Sequence, residues 1–174
     1  MQDVAKQHGP SRDHDGMEMQ RLSMDEALRL RHIRLRALAD APDAFGSTYA
    51  DVSAHPLAMW RQQLQESVTF VAVRDGEDVG IVRCASEEPH PDTAWLLSMW
   101  VAPEARGQGV GNALMDAVIA YARARGAIRL LLDVGDQNQP AIALYARKGF
   151  TPNGHTGALP APRHTCVSIS ESSG

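Results

Sequence analysis

The spacing of hydrophobic residues along this chain alternates between a helical and a strand-like period. From Ala27 to Leu38 apolar residues recur every three or four positions, and Ser23 with Glu26 three residues later forms a capping pattern at the start of this helix. Alternating or continuous apolar runs between turn residues predict strands. The predicted helices cover residues 23–39, 56–65, 110–125 and 139–148, and the predicted strands cover 17–22, 68–74, 79–85, 93–101, 128–134, 150–153 and 164–169.

Turn residues set the order of these strands. Residues 75–78 predict a hairpin with a four-residue turn, and residues 87–92 predict a second reversal, so three consecutive strands should be antiparallel. Strands and helices alternate after that point, and the nearly continuous apolar run at 128–134 favours a strand covered on both faces. The pattern predicts one α/β domain over residues 17–174 with a mixed, mostly antiparallel sheet. Residues 1–16 show no periodicity and are expected to be a disordered leader.

Composition narrows the class of protein. A chain of 174 residues with 44% hydrophobic content can build one domain with a substantial core. The net charge of −4 argues against a nucleic-acid binder, for which a basic face is expected. No apolar run is long enough to cross a membrane and the polar start is unlike a signal peptide, so we expect a cytoplasmic protein. Cys84 and Cys166 have no neighbours at metal-binding spacing, and we expect buried free thiols and no metal site.

A glycine-rich turn carries the first chemical signal. The segment Arg106–Gly111 reads Arg-Gly-Gln-Gly-Val-Gly and stands between the predicted strand 93–101 and the predicted helix 110–125. Glycines let backbone N–H groups approach an anion, and the positive end of the helix dipole favours its charge. A nucleoside-triphosphate loop would need Gly-Lys-Ser/Thr, which is absent, and a dinucleotide turn would need a third glycine where Asn112 stands. The turn therefore predicts a pyrophosphate site of another kind.

A second block completes a family pattern. The turn fits Arg/Gln-x-x-Gly-x-Gly/Ala through Arg106, Gly109 and Gly111, and residues 138–150 fit Asn-x-x-Ala-x-x-Leu-Tyr-x-x-x-Gly-Phe. Together, in this order and at this spacing, the two blocks resemble the GCN5-related N-acetyltransferase (GNAT) superfamily. The resemblance implies a sheet of about seven strands that splays between strands 4 and 5, about four flanking helices, and transfer of acetyl from acetyl-CoA to an amine.

The resemblance also implies which residues hold the cofactor. Backbone groups of Met99, Trp100 and Val101 would face pantetheine, and Asn138 would contact the cofactor arm. Tyr145 stands where the family often has the general acid that protonates the leaving thiolate. The residues of the pyrophosphate cradle would be Arg106, Gly107, Gln108, Gly109, Val110, Gly111 and Asn112.

The acceptor side is less defined by sequence. The strand that would face the substrate offers Ser98 and no carboxylate, so the base could be Glu87, Glu88, His90 or a chain of waters. Phe45 and Trp60 could shape the acceptor site or belong to the core. Residues 41–48 resemble a segment of a bacterial subgroup of such enzymes that borders this site.

Several functions remain open at this level. A small-molecule amine is the expected substrate, and the acidic loop with the negative net charge favours a cationic one. The alternatives are acetylation of a protein amino terminus or lysine, and a non-catalytic acyl-CoA sensor. No nucleic-acid or membrane partner is expected, and a homodimer is compatible with the family.

Overall fold

The computed structural model describes residues 16–42, 48–87, 89–135, 138–152, 163–164 and 167–169. The predicted leader, Phe45, Glu88 and Cys166 lie outside the described residues, apart from Gly16 at the end of the leader.

A five-stranded sheet forms the centre of the molecule in the order β1-β2-β3-β4-β5. Neighbours from β1 to β4 are antiparallel, whereas β5 runs parallel to β4. The strands are β1 Met17–Arg21, β2 Ser67–Arg74, β3 Glu77–Glu87, β4 His90–Val101 and β5 Arg129–Leu131.

Helices cover both faces of this sheet. The helices are α1 Ala27–Asp40, α2 Tyr49–Ser53, α3 Leu57–Glu66, α4 Val110–Ala124 and α5 Gln139–Arg147. A Cβ on Gly80 of β3 would lie 2.9 Å from side-chain atoms of Val110 and Leu114, so this face of β3 packs tightly on α4. Trp100 of β4 points to the other face, where its indole bonds Asp40 at the end of α1. The core between these layers includes Leu30, Ile33 and Leu38 of α1, Trp60 of α3, and Leu114 and Met115 of α4.

The sheet opens between β4 and β5. Only Thr93–Trp95 of β4 pairs with β5, opposite Arg129–Leu131. The chain then leaves β4, and residues 134–135 form β6, which pairs with β8 at residues 163–164. Strand β7 at residues 150–152 pairs with β9 at residues 167–169. The predicted mixed, splayed fold is confirmed. The predicted continuous strand 128–134 is interrupted between β5 and β6, and the described parts of the predicted strand 164–169 pair with two different strands, β6 and β7.

Two predicted turns are wrong in length. The first hairpin turns on Asp75 and Gly76 alone, both with positive φ (52° and 77°), and Arg74 pairs directly with Glu77. Asp-Gly is the preferred pair for a two-residue type I′ turn, whose twist matches that of the strands. At the second reversal Glu87 pairs with His90, so β3 and β4 extend further than predicted.

Two helix predictions are also corrected. Helix α1 begins at Ala27 with Glu26 at its N-cap and no side-chain cap, so the predicted cap by Ser23 is wrong. The reverse half of the capping pattern is present, because the Ser23 backbone N–H donates to Glu26 Oε2 at 2.8 Å. Helix α2 was not predicted from its five residues, although Thr48 caps it by accepting from the Asp51 N–H.

Two further observations concern cysteine and membrane spans. Cys84 is buried and has no disulfide, as expected, and its burial raises the pKa of the thiol to about 11. No helix in the described part of the chain has the length and apolar character needed to span a membrane.

Candidate active site

The glycine turn has the backbone geometry of an anion cradle. Gly107 and Gly109 have φ of +75° and +85°, a left-handed conformation that other residues rarely adopt. Gly109 is the N-cap of α4, where no side chain caps the helix and no acidic residue lies in the first turn. The first N–H groups of α4 are therefore available to an external acceptor, and the helix dipole adds a positive potential.

Gly111 lets three elements meet at this turn. A Cβ on Gly111 would lie 3.2 Å from Leu144 Cδ2 of α5 and 3.6 Å from Met99 Cε of β4. Val101 Cγ2 would lie 3.7 Å away. The small residue thus brings the start of α4 against both the end of β4 and α5.

Arg106 anchors the turn to α1. Its Nη2 lies 2.5 Å from Asp40 Oδ2, and its Nε donates to the Val101 carbonyl at 3.1 Å. The same carboxylate oxygen accepts from Trp100 Nε1 at 2.9 Å. The hydrogen bond from Trp100 and the nearby guanidinium of Arg106 lower the pKa of Asp40. The positive charge of Arg106 is therefore shared with a carboxylate before any ligand binds.

Arg74 is a residue of this region that the sequence analysis missed. It ends β2, and its Nη1 contacts Gln108 Oε1 in the glycine turn. The side chain of Gln108 also donates to the Glu104 carbonyl at 3.2 Å. No local signal points to Arg74, because the contact joins residues 34 positions apart.

A cavity of about 330 Å³ lies beside the start of α4. Its wall includes Gly109, Asn112 and Asp116 from the turn and α4, and Met17 and Met19 from β1. It lies next to Arg74, because Met17 pairs with Arg74 in the sheet.

The edge of β4 that faces the splay is open. Beyond Trp95 no described residue pairs with β4 on the side of β5. Unpaired backbone N–H and C=O groups on such an edge can bind an extended ligand as an added strand. The open edge runs to Val101 and ends at the glycine turn.

A β-bulge interrupts this edge at Ser98. Arg83 pairs with Leu97 and Ile81 with Trp100, so two residues of β4 stand opposite one of β3. Ser98 has φ +57°, which costs a non-glycine residue about 1–2 kcal/mol. Such bulges change the direction of backbone groups and occur often at active sites. Without a glycine at this position, the pattern of residues showed no sign of it.

Tyr145 lies inside the protein on α5. It is 6% exposed, and its ring centroid lies 6.0 Å from that of Phe150. Burial raises the pKa of the phenol to about 12, so the hydroxyl keeps its proton throughout the neutral range. Asn138, at the start of the same helix, accepts from the Ala141 N–H through its side-chain oxygen.

The acceptor-side candidates are dispersed. Glu87 lies at the end of β3, four residues beyond Arg83, which corresponds to about 13 Å along a strand. Trp60 is fully buried, with its ring centroid 6.0 Å from that of His55. The structure thus brings the glycine turn together with the open edge of β4, and Glu87 lies apart from both. Phe45 and Glu88 are not among the described residues.

Comparison with known proteins identifies relatives of this chain. The family model described as Acetyltransferase (GNAT) family matches residues 34–150. A mycothiol acetyltransferase of Thermomonospora curvata is 33% identical over 128 residues, which are 73% of this chain and 41% of that protein. A streptothricin acetyltransferase of Streptomyces lavendulae is 38% identical over 94 residues, which are 54% of this chain and 50% of that protein. The chain spans half or less of the length of these curated relatives.

A solved structure supports the fold independently. Ard1 from Thermoplasma volcanium superposes with a TM-score of 0.69 at 20% identity, over 90% of this chain and 99% of that one. At this identity the similarity shows the fold alone.

Proposed function

Because the chain belongs to the acetyltransferase (GNAT) family, we propose that it transfers the acetyl group of acetyl-CoA to the primary amine of a small molecule. The relatives named for mycothiol and streptothricin support a small acceptor.

One observation carries this proposal: the open edge of β4 is followed, after a single 3₁₀ turn at Pro103–Ala105, by the glycine turn at the start of α4. A pantetheine arm has amides that can bond the edge as an added strand, and a pyrophosphate fits N–H groups at a helix start. Residues 99–101 would hold the arm, and residues 106–112 the pyrophosphate. The side chain of Arg106 would keep the turn in place through Asp40.

The adjoining cavity suits the nucleotide end of the same molecule. Its methionines offer apolar, polarisable surface to a base, and Arg74 lies beside it with a cationic group. The elements that surround the turn therefore supply groups for each part of CoA.

The transfer is a direct attack in a ternary complex. The lone pair of the neutral amine forms the C–N bond to the thioester carbon, the C–S bond breaks, and the amine loses one proton while the sulfur ends as a thiol. A backbone N–H beside the Ser98 bulge is the candidate donor to the carbonyl oxygen as negative charge develops. Glu87 lies too far along β3 to reach a thioester at this bulge without intervening water.

Tyr145 is the candidate donor to the leaving sulfur. With a pKa of about 12 the phenol is fully protonated at neutral pH. It is also a weaker acid than an ordinary thiol, whose pKa is about 8.5. Tyr145 would therefore stabilise the thiolate through a hydrogen bond in the transition state, rather than transfer its proton outright.

The test is release of free thiol from acetyl-CoA with a panel of polyamines, amino sugars, amino acids and short peptides. We expect amine-dependent release, and we expect Tyr145→Phe to lower kcat about 100-fold or more while the Kd for CoA stays within about twofold. Tyr121→Phe is the matched control and should keep its kcat; Tyr121 belongs to α4, and its ring lies near the guanidinium groups of Arg21 and Arg125.

Two outcomes would contradict this assignment. Equal kcat in Tyr145→Phe and wild type would remove Tyr145 from the mechanism. Binding of acetyl-CoA without thiol release for any amine would favour a sensor over an enzyme.

A further inference from the structure

A row of three paired residues crosses the sheet beside the open edge. Thr69 of β2 pairs with Arg83 of β3, which pairs with Leu97 of β4. Paired residues share one face of a sheet. Successive side chains of a strand point to alternate faces of the sheet. Gly80 faces α4, so Arg83, an odd number of positions further along the same regular stretch of β3, faces α1 and α3.

Arg83 has an incomplete set of partners. Its Nη2 donates to Ser67 Oγ at 2.6 Å, whereas its Nε is buried and has no hydrogen-bond partner. Among the described residues no carboxylate lies within ion-pair distance of it. Arg83 as a whole is of intermediate exposure, so part of its side chain is open to solvent although its Nε is buried.

Its surroundings increase the demand for an anion. Arg34 of α1 lies close enough that burial, and secondarily the charge of Arg83, lower the pKa of its guanidinium to about 10. Burial also lowers the pKa of Arg83, and Glu66 compensates only in part. The buried Nε of Arg83 is a donor without an acceptor, and an anion that accepts from it would remove that cost.

A carboxylate is the anion that suits this arrangement. A guanidinium holds both oxygens of a carboxylate through a pair of N–H groups. The unpaired hydroxyl of Thr69, the residue opposite Arg83 on β2, adds a further donor to this region.

The position of this group relates it to the acceptor. Leu97 immediately precedes the bulge at Ser98, and Arg83 stands one strand away, about 5 Å in the backbone. The guanidinium extends toward β2, which is a further strand away. An anion held beside Ser67 would lie two interstrand spacings, about 10 Å, from β4.

We propose that Arg83 binds a carboxylate of the acceptor, so that the substrate is an amino acid or a related amine that carries both groups. This inference rests on the proposed function, and it selects against polyamines. The interstrand spacing favours acceptors in which several bonds separate the carboxylate from the reacting amine.

The experiment compares matched acceptors that differ only by the carboxylate. Each ω-amino acid from β-alanine to 6-aminohexanoate, and lysine, is assayed beside the amine left after decarboxylation, with acetyl-CoA saturating. We expect kcat/KM to favour the amino acid at least tenfold for one or more chain lengths. Arg83→Gln should remove this preference by raising the KM of the amino acid, and it should leave the decarboxylated amine within about threefold.

Two further variants separate a subsite from a structural role. Arg83→Lys keeps the charge but not the paired N–H groups and should restore part of the preference. Arg61→Gln changes an exposed arginine on α3 and should leave the preference intact.

The inference and the proposed function fail in different ways. Wild-type enzyme that acetylates the decarboxylated amines as well as the amino acids would overturn the carboxylate subsite and retain the acetyltransferase. If no amine reacts, the carboxylate subsite is tested by calorimetry, which measures binding of the amino acids to the CoA-bound protein. Binding that Arg83→Gln abolishes supports the subsite, and absence of binding refutes it.

Discussion

Two glycines with the same backbone conformation separate the binding role of the turn from its contribution to stability. Gly109 at the start of α4 has φ +85°, and Gly126 just beyond its end has φ +87°. A Cβ at either position would meet no atom within 4 Å. Alanine at either site therefore introduces backbone strain without a steric clash.

The expected loss of stability is small, and it is equal at the two positions when both keep the left-handed conformation. The left-handed conformation costs alanine about 1–2 kcal/mol, and reduced freedom of the unfolded chain returns about 0.4–1 kcal/mol. Both Gly109→Ala and Gly126→Ala should lower the free energy of unfolding by about 1 kcal/mol, measured from urea unfolding.

Binding of CoA should distinguish the two variants. The strain of alanine at position 109 is borne either by the free protein or only by the complex. If the turn relaxes in the free protein by turning neighbouring N–H groups away from the anion, stability is kept and binding must restore the strain. A cost of about 1–2 kcal/mol then raises the Kd roughly 5- to 30-fold. Gly126→Ala should bind CoA within about twofold of wild type, because its strain lies at the far end of α4.

Isothermal calorimetry with CoA gives both values. An unchanged Kd in Gly109→Ala whose free energy of unfolding is also unchanged would refute the assignment of the turn as the pyrophosphate cradle. An equal loss of affinity in both variants would show that the effect acts through the stability of α4.

Three other predictions follow from the packing and the pKa shifts. Gly80→Ala should lower the free energy of unfolding by about 1–3 kcal/mol, because the added methyl lies 2.9 Å from Val110 Cγ1; an unchanged melting temperature would show that α4 shifts freely. The hydrogen bond from Trp100 lowers the pKa of Asp40 in the folded protein, so the ionised carboxylate stabilises the fold, and this stability is lost as pH falls below about 3.8. Asp40→Asn lacks this contribution and should lose less stability than wild type between pH 5 and 3. Parallel plots of unfolding free energy against pH, measured with urea, would contradict this. Burial raises the pKa of Cys84 in the folded protein, so the fold keeps a contribution of up to roughly 3 kcal/mol that is complete below pH 9 and lost by about pH 11. In reducing buffer the unfolding free energy of Cys84→Ala should fall less steeply over that range than that of wild type. An identical slope in both proteins would assign the decline to another group.

Local patterns predicted the parts of the fold that depend on local chemistry. The helices α4 and α5 begin where predicted, because glycine and asparagine at their starts and glycine after their ends act within one turn of backbone. The glycine turn was found for the same reason, since its conformation requires glycine at Gly107 and Gly109. The family resemblance supplied the splay, which no local signal carries.

The errors occur where the local residue pattern carries no signal. The run 128–134 is apolar throughout, and nothing in it marks where the chain stops pairing with β4 and leaves the sheet. The bulge at Ser98 follows from a shift in register between β3 and β4, which the residues of β4 alone do not reveal.

The sequence by itself determined the order of the longer elements, a hairpin within residues 75–78, and the turn that presents backbone N–H groups at the start of α4, because each depends on neighbouring residues and their conformational preferences. Only the tertiary structure decided which side chains surround that turn and the open edge. Arg106 lies 66 residues from its partner Asp40 in the sequence, and Arg74 lies 34 residues from its partner Gln108. Their meeting, like that of Arg83 with Ser67, depends on strand register and helix packing, which are properties of the whole fold.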